Sequence, residues 1–240
     1  MRVRFDAVLL DLFDTLCHLD EEMYREGKRG SAALLRVDAE AYLETWLSLQ
    51  DPCQRGILFS TENRLEECCR RLGTRAEPAT LREVSRREDE TLLRCARLHP
   101  DALPVLRALR RMSGLGLVLV SNASSAARSL VRHLVLNRFF DHLVFSFELG
   151  SLKPEPAIYR EAARRARTSP RRCLFVGDGN SRELEGAMEV GMTAVRIERH
   201  GVMEPYRKNP SRSWNHSVDD LRQILELFGS RQETGATSAP

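Results

Sequence analysis

The chain has 240 residues, of which 42% are hydrophobic and 30% charged, and its formal net charge is +3. This composition excludes an intrinsically disordered chain and is typical of a soluble globule with one large domain, or one domain with a substantial insertion. Because Lys and Arg are spread among Asp and Glu, no basic patch indicates nucleic-acid binding.

The cysteines and the N-terminal residues indicate the cellular compartment in which the protein works. Six cysteines are present, and none forms the CxxC spacing of a zinc site, so reduced thiols are expected. The N-terminal apolar run, residues 8–10, is too short for a signal peptide, and no segment is long enough to cross a bilayer. We therefore expect a cytoplasmic protein, monomeric or homodimeric, that binds neither nucleic acid nor membranes.

The first predicted element is a buried strand over residues 3–10. Helical spacing follows over residues 20–98, where no strand is predicted. One helix is predicted from an apolar face shared by Leu35, Tyr42, Trp46 and Leu49. A later helix is predicted over residues 80–96, with Thr80 and Glu83 forming a capping box at its start. This stretch predicts an inserted all-helical domain.

After residue 100 the pattern alternates between strand and helix. Four strands are predicted, over residues 115–120, 143–146, 173–176 and 193–197. Ser217 and Asp220 are predicted to cap a terminal helix that ends near Phe228. Repeated β-α units predict an α/β fold, a doubly wound parallel sheet covered by helices on both faces.

The predicted domain organisation follows from these elements. Residues 1–16 and 100–229 are expected to form the α/β core, and residues 17–99 the helical domain. Residues 230–240 are polar and rich in small residues, and we expect a disordered tail there.

Polar side chains follow the predicted strands, at the edge of a parallel sheet where ligands bind. Asp11 follows the first strand, Ser121 and Asn122 follow the second, Lys153 comes after the third, and Asp178 follows the fourth. The chain has three lysines against 34 arginines, and one of the three falls here. Polar groups of complementary type thus collect at one edge of the sheet, and a compact ammonium is the better point-charge partner for a phosphate or a carboxylate.

Four motifs stand in order along the chain: residues 11–16 (DLFDTL), 120–122 (VSN), 153–156 (KPEP), and 177–178 (GD) with Glu183. Together they resemble the haloacid-dehalogenase-like (HAD) hydrolase superfamily, and the resemblance covers residues 5–228. The helical insertion between the first and second motifs is similar to the cap domain of one branch of that superfamily. Caps there close over the substrate and set its specificity.

The resemblance implies a Mg²⁺-dependent hydrolase that acts on a small phosphorylated molecule through a covalent aspartyl intermediate. Asp11 would be the nucleophile. Asp11, Asp178, Glu183 and the backbone carbonyl of Phe13 would hold Mg²⁺. Most members carry Asp where Glu183 stands, and a helix N-terminal charge is its structural alternative.

The resemblance also implies roles for the remaining polar residues. Ser121 and Lys153 would be catalytic: the Ser121 hydroxyl would donate to a phosphoryl oxygen, and Lys153 would pair with both Asp11 and the phosphoryl group. Asn122, through its backbone N–H, and Thr15, which would brace the nucleophile loop, are assigned to substrate binding. A helix N-cap is the structural alternative for Ser121.

One position departs from the phosphatases of the superfamily. They place a second Asp two residues after the nucleophile as general acid and base, and here that residue is Phe13. Three explanations stay open. The chain is a phosphatase whose acid is a solvent water or a residue near the insertion boundaries, such as His18 or His99. It is a haloacid dehalogenase, whose members carry an aromatic residue here and use no metal. Or it binds a phosphorylated ligand with little turnover.

Overall fold

The structure, a computed structural model, describes residues 5–199 and 209–228. The predicted tail, residues 230–240, lies outside the described residues. The strands, in chain order, are β1 (Ala7–Leu10), β2 (Cys17–Leu19), β3 (Ala96–Leu98), β4 (Gly116–Ser121), β5 (His142–Phe145), β6 (Cys173–Gly177), β7 (Thr193–Ile197) and β8 (His216–Val218). The helices are α1 (Glu21–Leu35), α2 (Ala39–Ser48), α3 (Gln50–Gln54), α4 (Thr61–Arg71), α5 (Pro78–Cys95), α6 (Ala102–Arg110), α7 (Ala127–His133), α8 (Ser146–Leu149), α9 (Pro156–Arg165) and α10 (Glu183–Glu189).

Six strands form one parallel sheet in the order β5-β4-β1-β6-β7-β8. Strand β1 lies inside it, with Ala7 opposite Gly116 of β4 on one side and opposite Cys173 of β6 on the other. All six strands of this sheet therefore present their carboxyl ends at the same edge. The prediction of a doubly wound α/β fold is confirmed.

Both faces of the sheet are buried, which is why its central strands are continuously apolar. Alternate residues of β1 serve opposite faces: Val8 and Leu10 belong to one hydrophobic cluster, and Ala7 and Leu9 to the other. Helices α6 and α7 cover the first face, and α9 and α10 cover the second. The sheet is thus a rigid platform for its polar edge.

The helical insertion, residues 21–95, has a hydrophobic cluster of its own that includes Trp46, Leu65 and Val84. The prediction that Leu35 and Tyr42 share one face of a single helix is wrong, because Leu35 ends α1 while Tyr42 lies in α2. Arg36 adopts a left-handed conformation and Asp38 caps the next helix, so the chain turns between them.

Three further expectations about individual elements are wrong. Helix α5 begins at Pro78, which suits the first helical position, rather than at Thr80. Strand β3 lies within the stretch where no strand was expected, and it pairs antiparallel with β2. At three residues it is too short to show a periodicity. Ser217 does not cap a helix, because it lies in β8, and a 3₁₀ helix (Leu221–Phe228) follows.

Within the described ranges, no helix combines the length and the apolar character that crossing a bilayer requires. All six cysteines are buried and free.

A buried ion pair joins α1 to α5. Lys28 pairs with Glu88, and both side chains are almost fully buried. The Tyr42 hydroxyl donates to the other Glu88 oxygen at 2.9 Å, and the Lys28 ammonium lies 3.6 Å from the centre of the Trp46 ring. A buried pair of this kind contributes little net stability, but removal of one partner leaves an uncompensated charge.

We expect Lys28→Met to lower the free energy of unfolding by about 3–5 kcal/mol, because the Glu88 carboxylate loses its cation. The double variant Lys28→Met/Glu88→Leu should recover most of that loss. Urea denaturation of both variants checks the prediction. A loss below about 1 kcal/mol for the single variant would show that the pair is solvated.

Candidate active site

Three carboxylates meet at the carboxyl edge of the sheet. Asp11 directly follows β1, and its backbone N–H donates to the Val176 carbonyl of β6 at 3.0 Å. Asp178 directly follows β6, and Glu183 opens α10. The three residues are 4%, 3% and 1% exposed, and each offers an oxygen within 4.8 Å of the others. The fold thus joins residues far apart in the sequence into one acidic cluster.

Lys153 lies against this cluster. Its ammonium donates to the Asp11 carboxylate at 2.5 Å and also to Glu183, and the lysine is itself buried. Although burial disfavours its charge, the Asp11 and Glu183 carboxylates raise the pKa of Lys153 above its usual value. Lys153 is therefore a fixed cation beside the candidate nucleophile.

Asp11 and Glu183, the two carboxylates that pair with Lys153, have raised pKa values. Burial raises the pKa of Asp11, Lys153 offsets this only in part, and the Asp178 charge raises it further. Burial likewise raises the pKa of Glu183 well above its ordinary value, with the Asp11 and Asp178 charges adding to the shift. Such mutual repulsion is relieved when a cation binds among the carboxylates.

The side chain of Asn122 positions Lys153, a contact that the sequence did not predict. Its amide donates to the Lys153 carbonyl at 3.0 Å, and its oxygen accepts the Lys153 backbone N–H at 2.7 Å. The two bonds tie the end of β4 to the lysine loop. The motif pointed to Asn122, but to its backbone N–H rather than to its side chain.

The other predicted site residues occupy different places. Ser121 is fully buried at the end of β4, and its hydroxyl has no hydrogen-bond partner among the described residues. Phe13 and Asp14 line a cavity above the carboxylates. Thr15 is buried and does not line that cavity; its carbonyl accepts a hydrogen bond at 2.8 Å from Arg199, a support that the sequence did not indicate.

Two glycines allow close packing around Glu183 and Lys153. A Cβ at Gly177 would lie 2.1 Å from a Glu183 carboxylate oxygen, so a larger residue would displace that carboxylate. A Cβ at Gly186 would lie 2.5 Å from the carbonyl oxygen of Pro154, so α10 can approach the lysine loop only without a side chain there.

The cavity has a volume of about 520 Å³ and lies between the sheet edge and the helical insertion. The sheet edge contributes Asp11, Ser121 and Lys153, and the insertion contributes Trp46 and Arg64. Its size is that of an ordinary small-molecule site, for which about 300–1,000 Å³ is typical.

His18 and His99, suggested as sources of a general acid, do not line this cavity. Their rings pack on each other with centroids 4.9 Å apart, beside the β2–β3 ribbon. Burial lowers the pKa of His99 to about 4, with the neighbouring Arg199 and His18 charges adding to the effect. A side chain outside the cavity cannot protonate a leaving group in it.

The lowered pKa of His99 predicts a pH-dependent stability. Between its unfolded pKa of about 6.5 and its folded value, the unfolded chain binds a proton that the folded chain does not. This contribution is therefore fully present above pH 6.5 and is lost as the pH falls toward 4. We expect the wild type to lose about 1–3 kcal/mol more than His99→Gln between pH 7 and pH 4.5. Parallel pH profiles of unfolding free energy would contradict this.

The fold and the site define a protein with a doubly wound parallel sheet and a buried carboxylate at the centre of the polar sheet edge. Residues 5–191 match the model of the family described as haloacid dehalogenase-like hydrolase, and the chain belongs to that family. The resemblance seen in the motifs is thereby confirmed.

The relatives carry two kinds of names. A glyceraldehyde 3-phosphate phosphatase of Methanopyrus kandleri is 31% identical over 92% of this chain and 96% of its own length. An (S)-2-haloacid dehalogenase, H-109, of Pseudomonas putida is 29% identical over the same shares. The crystal structure of a 2-haloacid dehalogenase from Pseudomonas syringae pv. Tomato superposes with a TM-score of 0.70 at 24% identity, covering 93% of this chain and 97% of the other.

Proposed function

We propose that this hydrolase is a Mg²⁺-dependent phosphatase that cleaves a small phosphate monoester through a covalent intermediate on Asp11. The observation that carries the proposal is the presence of Asp178 and Glu183 beside Asp11, with oxygens within 4.8 Å of one another. A displacement that needed only a nucleophile and a lysine would not require two further buried carboxylates.

The residues fit Mg²⁺ in chemistry and in spacing. Mg²⁺ prefers hard oxygen ligands at about 2.0–2.1 Å and retains several waters, so two or three carboxylates suffice. The raised pKa values of Asp11 and Glu183 are what such a cluster shows without a cation. Asp11, Asp178 and the Phe13 carbonyl would hold the ion, with Glu183 bonded directly or through a water. Bound there, Mg²⁺ would reduce the repulsion between the nucleophile and an anionic substrate.

The chain's own residues account for the first chemical step. An Asp11 carboxylate oxygen attacks phosphorus, the ester P–O bond breaks, and its electron pair leaves with the alcohol oxygen, which takes a proton from water. Lys153, fixed by Asn122, orients Asp11 and spreads the charge of the phosphoryl group. The unpaired Ser121 hydroxyl donates to a phosphoryl oxygen. Water then hydrolyses the aspartyl phosphate and releases Asp11.

Phe13 shapes the rate of this reaction. Because no carboxylic acid stands at its position, the leaving group departs without a protein proton, which costs about 10²- to 10⁴-fold in rate for poor leaving groups. Esters of acidic alcohols, such as p-nitrophenyl phosphate, should therefore react much faster than alkyl phosphates.

The second candidate is 2-haloacid dehalogenation, which Phe13 and the relative from Pseudomonas putida favour. A halide leaving group needs no proton, so Phe13 would not impair that reaction. Dehalogenation would leave the carboxylates of Asp178 and Glu183 without a function, and for that reason we rank it second.

One pair of assays separates the two candidates. We expect p-nitrophenyl phosphate turnover that EDTA abolishes and Mg²⁺ restores, with no chloride released from 2-chloropropionate. Chloride release unaffected by EDTA, without phosphatase activity, would establish the dehalogenase instead. Inactivity in both assays, with thermal stabilisation by inorganic phosphate, would indicate a binding protein.

A further inference from the structure

The cationic side chains of the cavity are not equivalent. In the described part of the chain five of them line it: Lys28, Arg55, Arg64, Lys153 and Arg182. Four are paired with carboxylates: Lys28 with Glu88, Arg55 with Glu155, Lys153 with Asp11 and Glu183, and Arg182 with Glu185. Arg64 forms no ion pair with any carboxylate in residues 5–199 or 209–228. Among these five cations, Arg64 is thus the one that no carboxylate of the described residues contacts in an ion pair.

The guanidinium of Arg64 is held in place by the insertion. Arg64 lies in the first turns of α4, which begins with a capping box between Ser60 and Asn63. Its guanidinium carbon lies 3.9 Å from the centre of the Trp46 ring, and one N–H donates to the Trp46 carbonyl. Its Nε is buried without a partner among the described residues. Burying a donor without an acceptor is unfavourable, so the guanidinium is less completely satisfied by the protein than the four paired cations are.

The two α5 carboxylates that line the cavity form their hydrogen bonds with other residues. Both Glu88 oxygens are occupied, one by Lys28 and the other by Tyr42. Asp89 accepts the Thr61 hydroxyl at 2.6 Å. The insertion therefore supplies a cation that is oriented by Trp46 and that forms no ion pair with a carboxylate of the described residues.

We propose that Arg64 binds a second anionic group of the substrate, remote from the phosphate that is cleaved. The inference rests on the proposed function and narrows it: the substrate is a small organic phosphate monoester that also carries a carboxylate or a second phosphate. The reacting phosphate belongs with Asp11, Ser121 and Lys153 at the sheet edge, whereas Arg64 and Trp46 belong to α4 and α2. The planar guanidinium offers the paired donors that a carboxylate or phosphate accepts.

Non-hydrolysable ligands test this without depending on catalysis. We would titrate the Mg²⁺-loaded protein with ω-phosphonocarboxylates of two to five carbons, and with alkylphosphonates of the same lengths. At the best length, the wild type should bind the phosphonocarboxylate about 10- to 100-fold more tightly, the size expected for a hydrogen-bonded charge pair. Arg64→Gln should remove this preference and leave alkylphosphonate binding within about twofold. Arg64→Lys should retain part of the preference, because lysine keeps the positive charge but lacks the paired N–H donors of the guanidinium.

Arg71→Gln is the matched control, because Arg71 lies on the same helix, is exposed, and pairs with Glu67. It should leave the preference unchanged. Equal affinity of the wild type for both series at every length, or a preference that survives Arg64→Gln, would overturn the proposal. A loss in Arg71→Gln equal to that in Arg64→Gln would also overturn it.

Turnover separates this inference from the proposed function. A carboxylate-bearing ester such as 3-phosphoglycerate should exceed glycerol 3-phosphate in kcat/KM for the wild type, and the two should be equal for Arg64→Gln. If no phosphate ester is hydrolysed but the phosphonate preference depends on Arg64, the phosphatase proposal fails and the anion site stands. If p-nitrophenyl phosphate is hydrolysed but Arg64 has no effect on either series, the anion site fails and the phosphatase stands.

Discussion

Asp11→Asn is expected to reduce phosphatase turnover by on the order of 10⁴-fold or more, because an amide cannot form the acyl phosphate. Asn keeps the size and shape of Asp, and Lys153 retains its second carboxylate, Glu183. The fold should therefore survive, with little change in the midpoint of thermal unfolding. Steady-state assays with p-nitrophenyl phosphate and Mg²⁺ measure the effect.

The same substitution at exposed Asp219 is the control, and it should leave turnover unchanged. Acid-quenched wild-type protein should also carry phosphate on the peptide that contains Asp11. If Asp11→Asn retained more than about a tenth of the wild-type rate, the nucleophile would be another residue or a water, and the covalent mechanism would be wrong.

Asp178→Asn is expected to weaken metal binding and to raise the stability of the metal-free protein. Loss of a carboxylate ligand should weaken Mg²⁺ binding by at least about 100-fold, beyond the 10- to 100-fold typical of residues outside the ligand shell. Without metal, however, the variant should be more stable than the wild type by about 1–2 kcal/mol, because a charge that repels Asp11 and Glu183 has been removed.

Thermal unfolding with and without Mg²⁺ measures both effects. Mg²⁺ at about 100 times its Kd should stabilise the wild type by about 2.7 kcal/mol, and the variant at the same concentration by much less. If the metal-free variant is less stable than the wild type while its Mg²⁺ response is intact, Asp178 serves as a structural support and not as a ligand.

The sheet could be predicted because its signals are local and redundant. Each strand is an apolar run such as the one ending at Leu10, and each is followed by a helix pattern, so few topologies remain. The errors fall where the signal is short or depends on backbone conformation. Strand β3 has three residues, and the turn at Arg36 depends on one left-handed residue that the apolar pattern does not reveal.

The sheet-edge part of the site was predictable for a related reason. Asp11 and Asp178 follow strands directly, so parallel topology alone brings them to the same edge. The insertion side was not predictable. Trp46 and Arg64 occupy ordinary positions in amphipathic helices, and their facing the cavity depends on how the helices pack together and on the sheet. The position of His99 outside the cavity was not predictable for the same reason, because its packing against His18 depends on the tertiary structure.

The proposed mechanism requires Asp11 and Asp178 to share a divalent cation. A crystal grown with Mn²⁺ in place of Mg²⁺ tests it directly through the anomalous difference map. We expect one strong peak about 2.0–2.3 Å from carboxylate oxygens of both residues, with the remaining ligands being oxygen atoms. A map at saturating Mn²⁺ with no peak between these two side chains would contradict it.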